Sequence, residues 1–163
     1  RDPSPAVLAG QISNGVHANG VFEAGRTIDV GASTQLRPFF EARAGTETLA
    51  RVGFDLTIGQ YGSSGLLVRT PVTGQRLSVV EDAPYAGLSW LLGADVAYVD
   101  SSIYIPSNGP VQLEDVRTRV RAGAHWRTQE GTSIFYGATW LSEEFNTQRE
   151  EQVLGSLQLR LKF

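Results

Sequence analysis

From Val116 to Arg127 the side chains alternate without interruption. Val116, Thr118, Val120, Ala122, Ala124 and Trp126 fill the even places; Arg117, Arg119, Arg121, Gly123, His125 and Arg127 fill the odd ones. Successive residues of a strand point to opposite faces, so this segment presents one apolar face and one face rich in arginine. A helix would scatter the same arginines around its circumference. The pattern recurs over 88–99, with Leu88, Trp90, Leu92, Ala94, Val96 and Tyr98 on one side, and over 49–58, with Val52, Phe54, Leu56 and Ile58 opposite Arg51, Gly53, Asp55 and Thr57. Strands are also predicted at 132–142, at 151–163, and over 26–44, where Pro38 lacks an amide donor and predicts a bulge or break. The stretch 66–80 reads as a strand disturbed by Pro71 and Gly74, and a weaker one centres on Val7–Ser13, before the glycine-rich 14–25. Turn residues cluster at 45–48, 62–65, 107–110 and 129–131. The pattern predicts one all-β domain over 1–163, with about eight antiparallel strands.

Alternation alone does not say which face is wet. The runs last ten residues or more, near the roughly 9–11 that a tilted membrane strand needs, whereas soluble strands are commonest at about 5–6. Trp126, Trp140, Tyr98 and Phe163 sit near the ends of the apolar faces, where interfacial girdles lie. The polar faces mix small residues with Arg, Asp and Glu, which suits a filled lumen. There Arg117, Arg119 and Arg121 are expected to meet Glu41, Asp55 and Asp95, because charges in a low-dielectric interior must be paired. The expected architecture is therefore an antiparallel transmembrane β-barrel. In an eight-stranded barrel side chains fill the interior, which argues against a diffusion pore. The alternative is a soluble, lipocalin-like binding barrel.

Composition narrows the chemistry. Lys and Arg total 14 against 17 Asp and Glu, a net charge of −3, so no basic footprint for nucleic acid exists. Cysteine is absent, which removes disulfides, thiolate metal sites and cysteine nucleophiles. With no methionine at all, the chain reads as a mature or trimmed sequence. No metal-histidine or phosphate-loop motif is present, and no cofactor is expected. A general base would most often be histidine, and only His17 and His125 are available. His125 lies on the arginine face and reads as lumen lining. His17, in the glycine-rich segment within reach of Glu23 and Ser13, is the better-placed candidate, set against an ordinary solvated loop histidine. Glu143 with Glu144, and Glu114 with Asp115, are candidate carboxylate or calcium pairs whose plain reading is a solvated rim.

Leu157, Leu159, Leu161 and Phe163 resemble the C-terminal assembly signal of bacterial outer-membrane barrels. That resemblance implies recognition by the barrel assembly machinery. It would place both termini and the short turns at 45–48 and 128–131 in the periplasm, with the loops near 100–112 and 143–150 outside. The stretch Phe135–Phe145, with Gln148 and Gly155-Ser156-Leu157, resembles the closing hairpin of the outer-membrane lipid A deacylase family, and Arg43–Gly59 resembles that family's later barrel strands. The family implies a larger barrel with its catalytic groups in the first half: an Asn-Asp pair, a Thr or Ser, a Lys-Arg pair, a His followed by Gly, and a bound calcium. Here the lysine is Lys162, Asp2 follows Arg1 and His17 precedes Ala18, so no catalytic residue carries over and calcium rests on the resemblance alone. The expected function is a small outer-membrane barrel, structural or partner-binding, in contact with outer-membrane lipid, lipopolysaccharide and a protein partner. The alternative is a lipid A deacylase, an esterase removing an acyl chain, or a fragment of one.

Overall fold

The alternating segments fold as antiparallel strands, and among the described residues there is no helix. The computed structural model describes residues 15–63, 65–80, 85–105 and 111–162. In chain order the strands are β1 Gly20–Gly25, β2 Ile28–Gly31, β3 Thr34–Ala44, β4 Glu47–Ile58, β5 Leu66–Arg69, β6 Arg76–Val80, β7 Gly87–Ser102, β8 Val116–Arg127, β9 Ser133–Leu141 and β10 Gln152–Arg160. Eight of them form one sheet in the order β1-β3-β4-β7-β8-β9-β10, with β2 continuing the line of β1 along β3. Strands β5 and β6 form a separate hairpin.

Three local expectations change. Residues 26–44 are two strands, because the chain reverses after Gly31 and β2 pairs back on β3. Pro38 leaves β3 unbroken, paired with Phe54. The interruption falls on the neighbouring ribbon instead: Arg26 and Thr27, between β1 and β2, lie opposite the proline that cannot donate to them. The stretch 66–80 is a hairpin whose turn contains Pro71 and Gly74, and it does not join the sheet. Since it fails to cross the wall, the direction of β4 is reversed relative to the expectation. The turn at 45–46 therefore shares an end with the loops 103–115 and 142–151, opposite the turn at 128–132. The described chain also enters at that loop-bearing end, where Asn19 Oδ1 accepts hydrogen bonds from the amide and hydroxyl of Thr46. The segment Val7–Ser13 lies outside the described residues.

The hairpin shows how the sheet is shaped. Arg69 on β5 reaches Glu23 on β1, while Ser78 O on β6 accepts from Arg160 on β10. These are the two outermost ribbons of seven, which laid flat would stand roughly 29 Å apart at about 4.8 Å per strand. One narrow hairpin touches both, and also Phe39 on β3, Asp55 on β4, Arg119 on β8 and Thr139 on β9. The sheet is rolled around it.

The faces are inverted relative to a water-soluble barrel. Arg119 and Arg121 are 4% and 3% exposed and Asp95 2%, whereas Trp90 is 51%, Trp126 52% and Leu157 70% exposed. Outward aromatics lie toward both ends, Trp90, Trp126 and Tyr136 at one and Tyr98 and Phe22 at the other, with Phe54 and Trp140 on the row between. Trp90 and Tyr98 are separated by about 27 Å of strand, or about 20 Å of height at a tilt near 40°, close to the apolar band of such barrels. Inside, Tyr61, Leu91 and Phe135 form a small apolar cluster on which Leu67, Leu77 and Tyr85 pack.

Gly74 makes the hairpin turn possible. Its φ is +68°, a left-handed conformation, and a Cβ there would lie 2.8 Å from the Arg119 guanidinium carbon. Gly74→Ala is expected to cost about 1–3 kcal/mol through backbone strain and overpacking. Urea unfolding in detergent micelles checks it.

Candidate functional site

The inner face is organised in rows that cross the strands. Arg37, Asp55, Gly93, Arg121 and Thr139 are successive partners across β3, β4, β7, β8 and β9. The next row toward the loop-bearing end is Phe39, Gly53, Asp95, Arg119 and Leu141, and beyond it Glu41, Arg51, Ala97 and Arg117. Long charged residues alternate with small ones, so a side chain can cross a glycine to reach the strand beyond. A Cβ on Gly93 would stand 2.6 Å from Arg121 Nε, and one on Gly53 would stand 2.5 Å from Asp95 Cβ. Arg121 thus passes over Gly93 to Asp55 on β4.

Two carboxylates bind most of this face. Asp95 accepts from Arg119 at 2.9 Å, lies 3.1 Å from Arg51 Nε and pairs with Arg121. Asp55 takes Arg121 at 2.6 Å and Arg69 at 2.7 Å. Arg69 continues to Glu23 at 2.7 Å, and Glu23 to Arg37 at 2.8 Å. In the other direction Glu41 accepts from Arg51 at 2.9 Å and from Arg43 at 3.0 Å. Arg43, Glu41, Arg51, Asp95, Arg119, Arg121, Asp55, Arg69, Glu23 and Arg37 are therefore one connected network. Arg117 stands beside it on Glu47 at 2.8 Å, with Glu144 at 3.9 Å on the rim. At that end a cavity of about 250 Å3 is lined by Arg43, Glu47, Arg117, Ser142 and Glu144.

The hairpin is held by the same arginines. Arg119 Nη1 donates to the carbonyls of Pro71 and Val72 at 2.9 and 3.0 Å, and Arg69 Nη1 to Gly74 O at 2.8 Å. Arg69 also lies over the Phe39 ring, 3.7 Å from its centroid. Gly74 is buried, so its carbonyl needs this partner in place of water, while Pro71 and Val72 are exposed and their carbonyls fix the turn to the wall.

Among the described residues neither histidine is paired with a carboxylate that would make it a general base. His125 is buried, 3.1 Å from the Tyr85 hydroxyl, with its ring 4.5 Å from that of Tyr61. Burial raises both phenols above their ordinary value, so both stay protonated. His17 is exposed at the loop-bearing end, where its carbonyl accepts from Asn19. Glu23, expected within its reach, points instead into the arginine network, because it is an inward residue of β1; Ser13 lies outside the described residues. Glu143 and Glu144 are exposed; Asp115 is exposed and Glu114 half-buried. Among the described residues no three of His, Asp or Glu gather where they could hold a metal ion. The inner carboxylates among the described residues are already taken by guanidinium groups and do not fit calcium.

Leu157, Leu159 and Leu161 all face outward and are exposed, while Phe163 lies outside the described residues. The family model for outer membrane protein LpxR matches residues 9–163. The chain belongs to the LpxR family. No curated protein and no solved structure matches it. Membership in the LpxR family places the protein in the bacterial outer membrane as a lipid A deacylase-like protein associated with lipid A and lipopolysaccharide. The exposed Leu, Val and Trp of the strands are then its lipid-facing belt, and the soluble, lipocalin-like alternative falls.

Sequence reasoning named Arg117, Arg119, Arg121, Glu41, Asp55 and Asp95 and passed over Arg51, Arg69 and Glu23. Arg51 shares the inward parity of Asp55, a signal present in the alternation of β4. Arg69 belongs to the inserted hairpin, and no wall pattern marks it.

Proposed function

We propose that this chain forms wall and plug of an outer-membrane barrel at the lipid A layer, in a structural or partner-binding role, without a hydrolytic set of its own. One observation carries this reading: the inward carboxylates Glu23, Glu41, Glu47, Asp55 and Asp95 are each bonded to arginine. None is therefore free to orient a histidine as general base, a common arrangement for hydrolysis of an acyl ester. In this reading the loops 103–115 and 142–151 face the cell exterior and the C-terminal end of β10 faces the periplasm. The outward Leu157, Leu159 and Leu161 then serve the barrel assembly machinery. The loops are joined by a bridge between Leu113 and Phe145 and by Glu114 N donating to Glu144 O, a joined pair of segments that a protein partner could contact.

The second reading is the deacylase itself. It is favoured by the position of His17, exposed at the loop-bearing end beside the anchored Asn19, on the side where lipid A lies if that end is outward. The two readings part on one assay: purified protein in micelles is incubated with lipid A and free fatty acid is measured. No release above a protein-free control is expected. Release that disappears in His17→Ala would establish the hydrolase.

A further inference from the structure

Among the described residues the inner network is not electrically balanced. Counting Arg76 with the six arginines already linked by it, seven guanidinium groups share four carboxylates, Glu23, Glu41, Asp55 and Asp95. Arg76 is the one left over. It sits on β6 beside Arg37 and Arg69, and its guanidinium has no hydrogen-bond or ion-pair partner among the described residues. Among the described residues Arg37 hydrogen-bonds through Nη1 alone, to Glu23. Its guanidinium lies flat across β1, where a Cβ on Gly25 would come within 2.6 Å of it. Asp55, the carboxylate facing both, has its oxygens occupied by Arg69 and Arg121.

Unspent donors and open space coincide here. A cavity of about 180 Å3 is lined by Arg37, Arg76, Thr27, Gln35, Thr57 and Asp55, among others. That is many times the roughly 10–15 Å3 a single water needs. Two forked guanidinium groups match the oxygens of a tetrahedral oxyanion, and the hydroxyls of Thr27 and Thr57 add polar lining beside Tyr61 and Leu67. The surplus also favours a doubly charged ligand, because an unneutralised cation in a low-dielectric interior is costly. We infer that this cavity is an anion site for a phosphate group, held between Arg37 and Arg76. The phosphate comes either as a free ion or as the monoester headgroup of a lipid.

The test is unfolding of the protein in an uncharged, phosphate-free detergent, at constant ionic strength, against two probes: inorganic phosphate and dodecyl phosphate. A saturable rise in the unfolding midpoint is expected, with Arg76→Gln weakening the apparent affinity about tenfold or more, as loss of a charged hydrogen-bond donor implies. A response to inorganic phosphate identifies a soluble anion; a response confined to dodecyl phosphate identifies a lipid headgroup; either supports the site. If Arg76→Gln does not fold, Arg76→Lys decides, since it keeps the charge and loses the fork, and weaker binding is expected. No response to either probe overturns the inference, as does a response unchanged in the folded variant.

Discussion

Asp95→Asn is expected to destabilise the protein by about 3–5 kcal/mol, the usual cost of removing one partner from a buried ion pair. Asp95 is fully shielded, and three arginines depend on it: Arg51, Arg119 and Arg121. Its net charge is what changes, since asparagine has nearly the same shape. Arg121 keeps Asp55 and Arg51 keeps Glu41, but Arg119 retains only the carbonyls of Pro71 and Val72. Those two carbonyls belong to the plug, so strain at Arg119 is passed to the hairpin. Urea unfolding in micelles should show the lower midpoint, together with faster proteolysis within 66–80. Glu144→Gln is the matched comparison. It also answers an arginine, but at 3.9 Å and with a half-exposed side chain, and is expected to change stability by less than about 0.5 kcal/mol. Equal effects from the two substitutions would show that the network contributes no more than a surface pair.

The alternation along the chain was sufficient to find the wall, because a period of two survives burial on either side. The segment predicted at 116–127 is β8 residue for residue, and 88–99 lies within β7. What alternation does not carry is whether a strand belongs to the wall. Leu66 and Val68 point one way and Leu67 and Arg69 the other, much as in a lipid-facing strand. Only length separates them: β5 and β6 have four and five residues, half of the roughly 9–11 needed to cross. That one error reversed the placement of the turn at 45–46.

The charge network was legible in part for a related reason. Residues that pair across strands share parity, so Arg119, Asp95 and Asp55 could be assigned to one face from sequence. Their connection needed register. Asp55 and Arg121 meet because Gly93 stands between them, and which residue stands between two others is set by how the strands align. Proximity along the chain misled in the case of His17 and Glu23. Six residues apart, they suggested a base and its carboxylate, yet a strand carries Glu23 to the inner face and away from the exposed segment. The inner face is read by parity and register together, and sequence supplies only the first.

Moving one residue along β8 should reverse the effect of an arginine. Val120 is exposed, points outward and pairs with Ala94, midway between Trp90 and Tyr98, so it sits at mid-height of the apolar belt. Val120→Arg is expected to cost about 2–4 kcal/mol in a bilayer, because the guanidinium must either lie in hydrocarbon or drag water and headgroups toward it. Its neighbours Arg119 and Arg121 are arginine already and hold the structure together from the other face. If the same surface faced water, Val120→Arg would shift stability by less than about 0.5 kcal/mol. The measurement is folding into phospholipid vesicles, followed by heat-modifiable gel mobility and reversible denaturant unfolding. Glu143→Arg, on the exposed rim, controls for an added positive charge and is expected to be near neutral. A large loss at Val120 with none at Glu143 ties the inverted burial to the bilayer, since only a hydrocarbon solvent makes an exposed arginine expensive on one side of a strand and a buried one stabilising on the other.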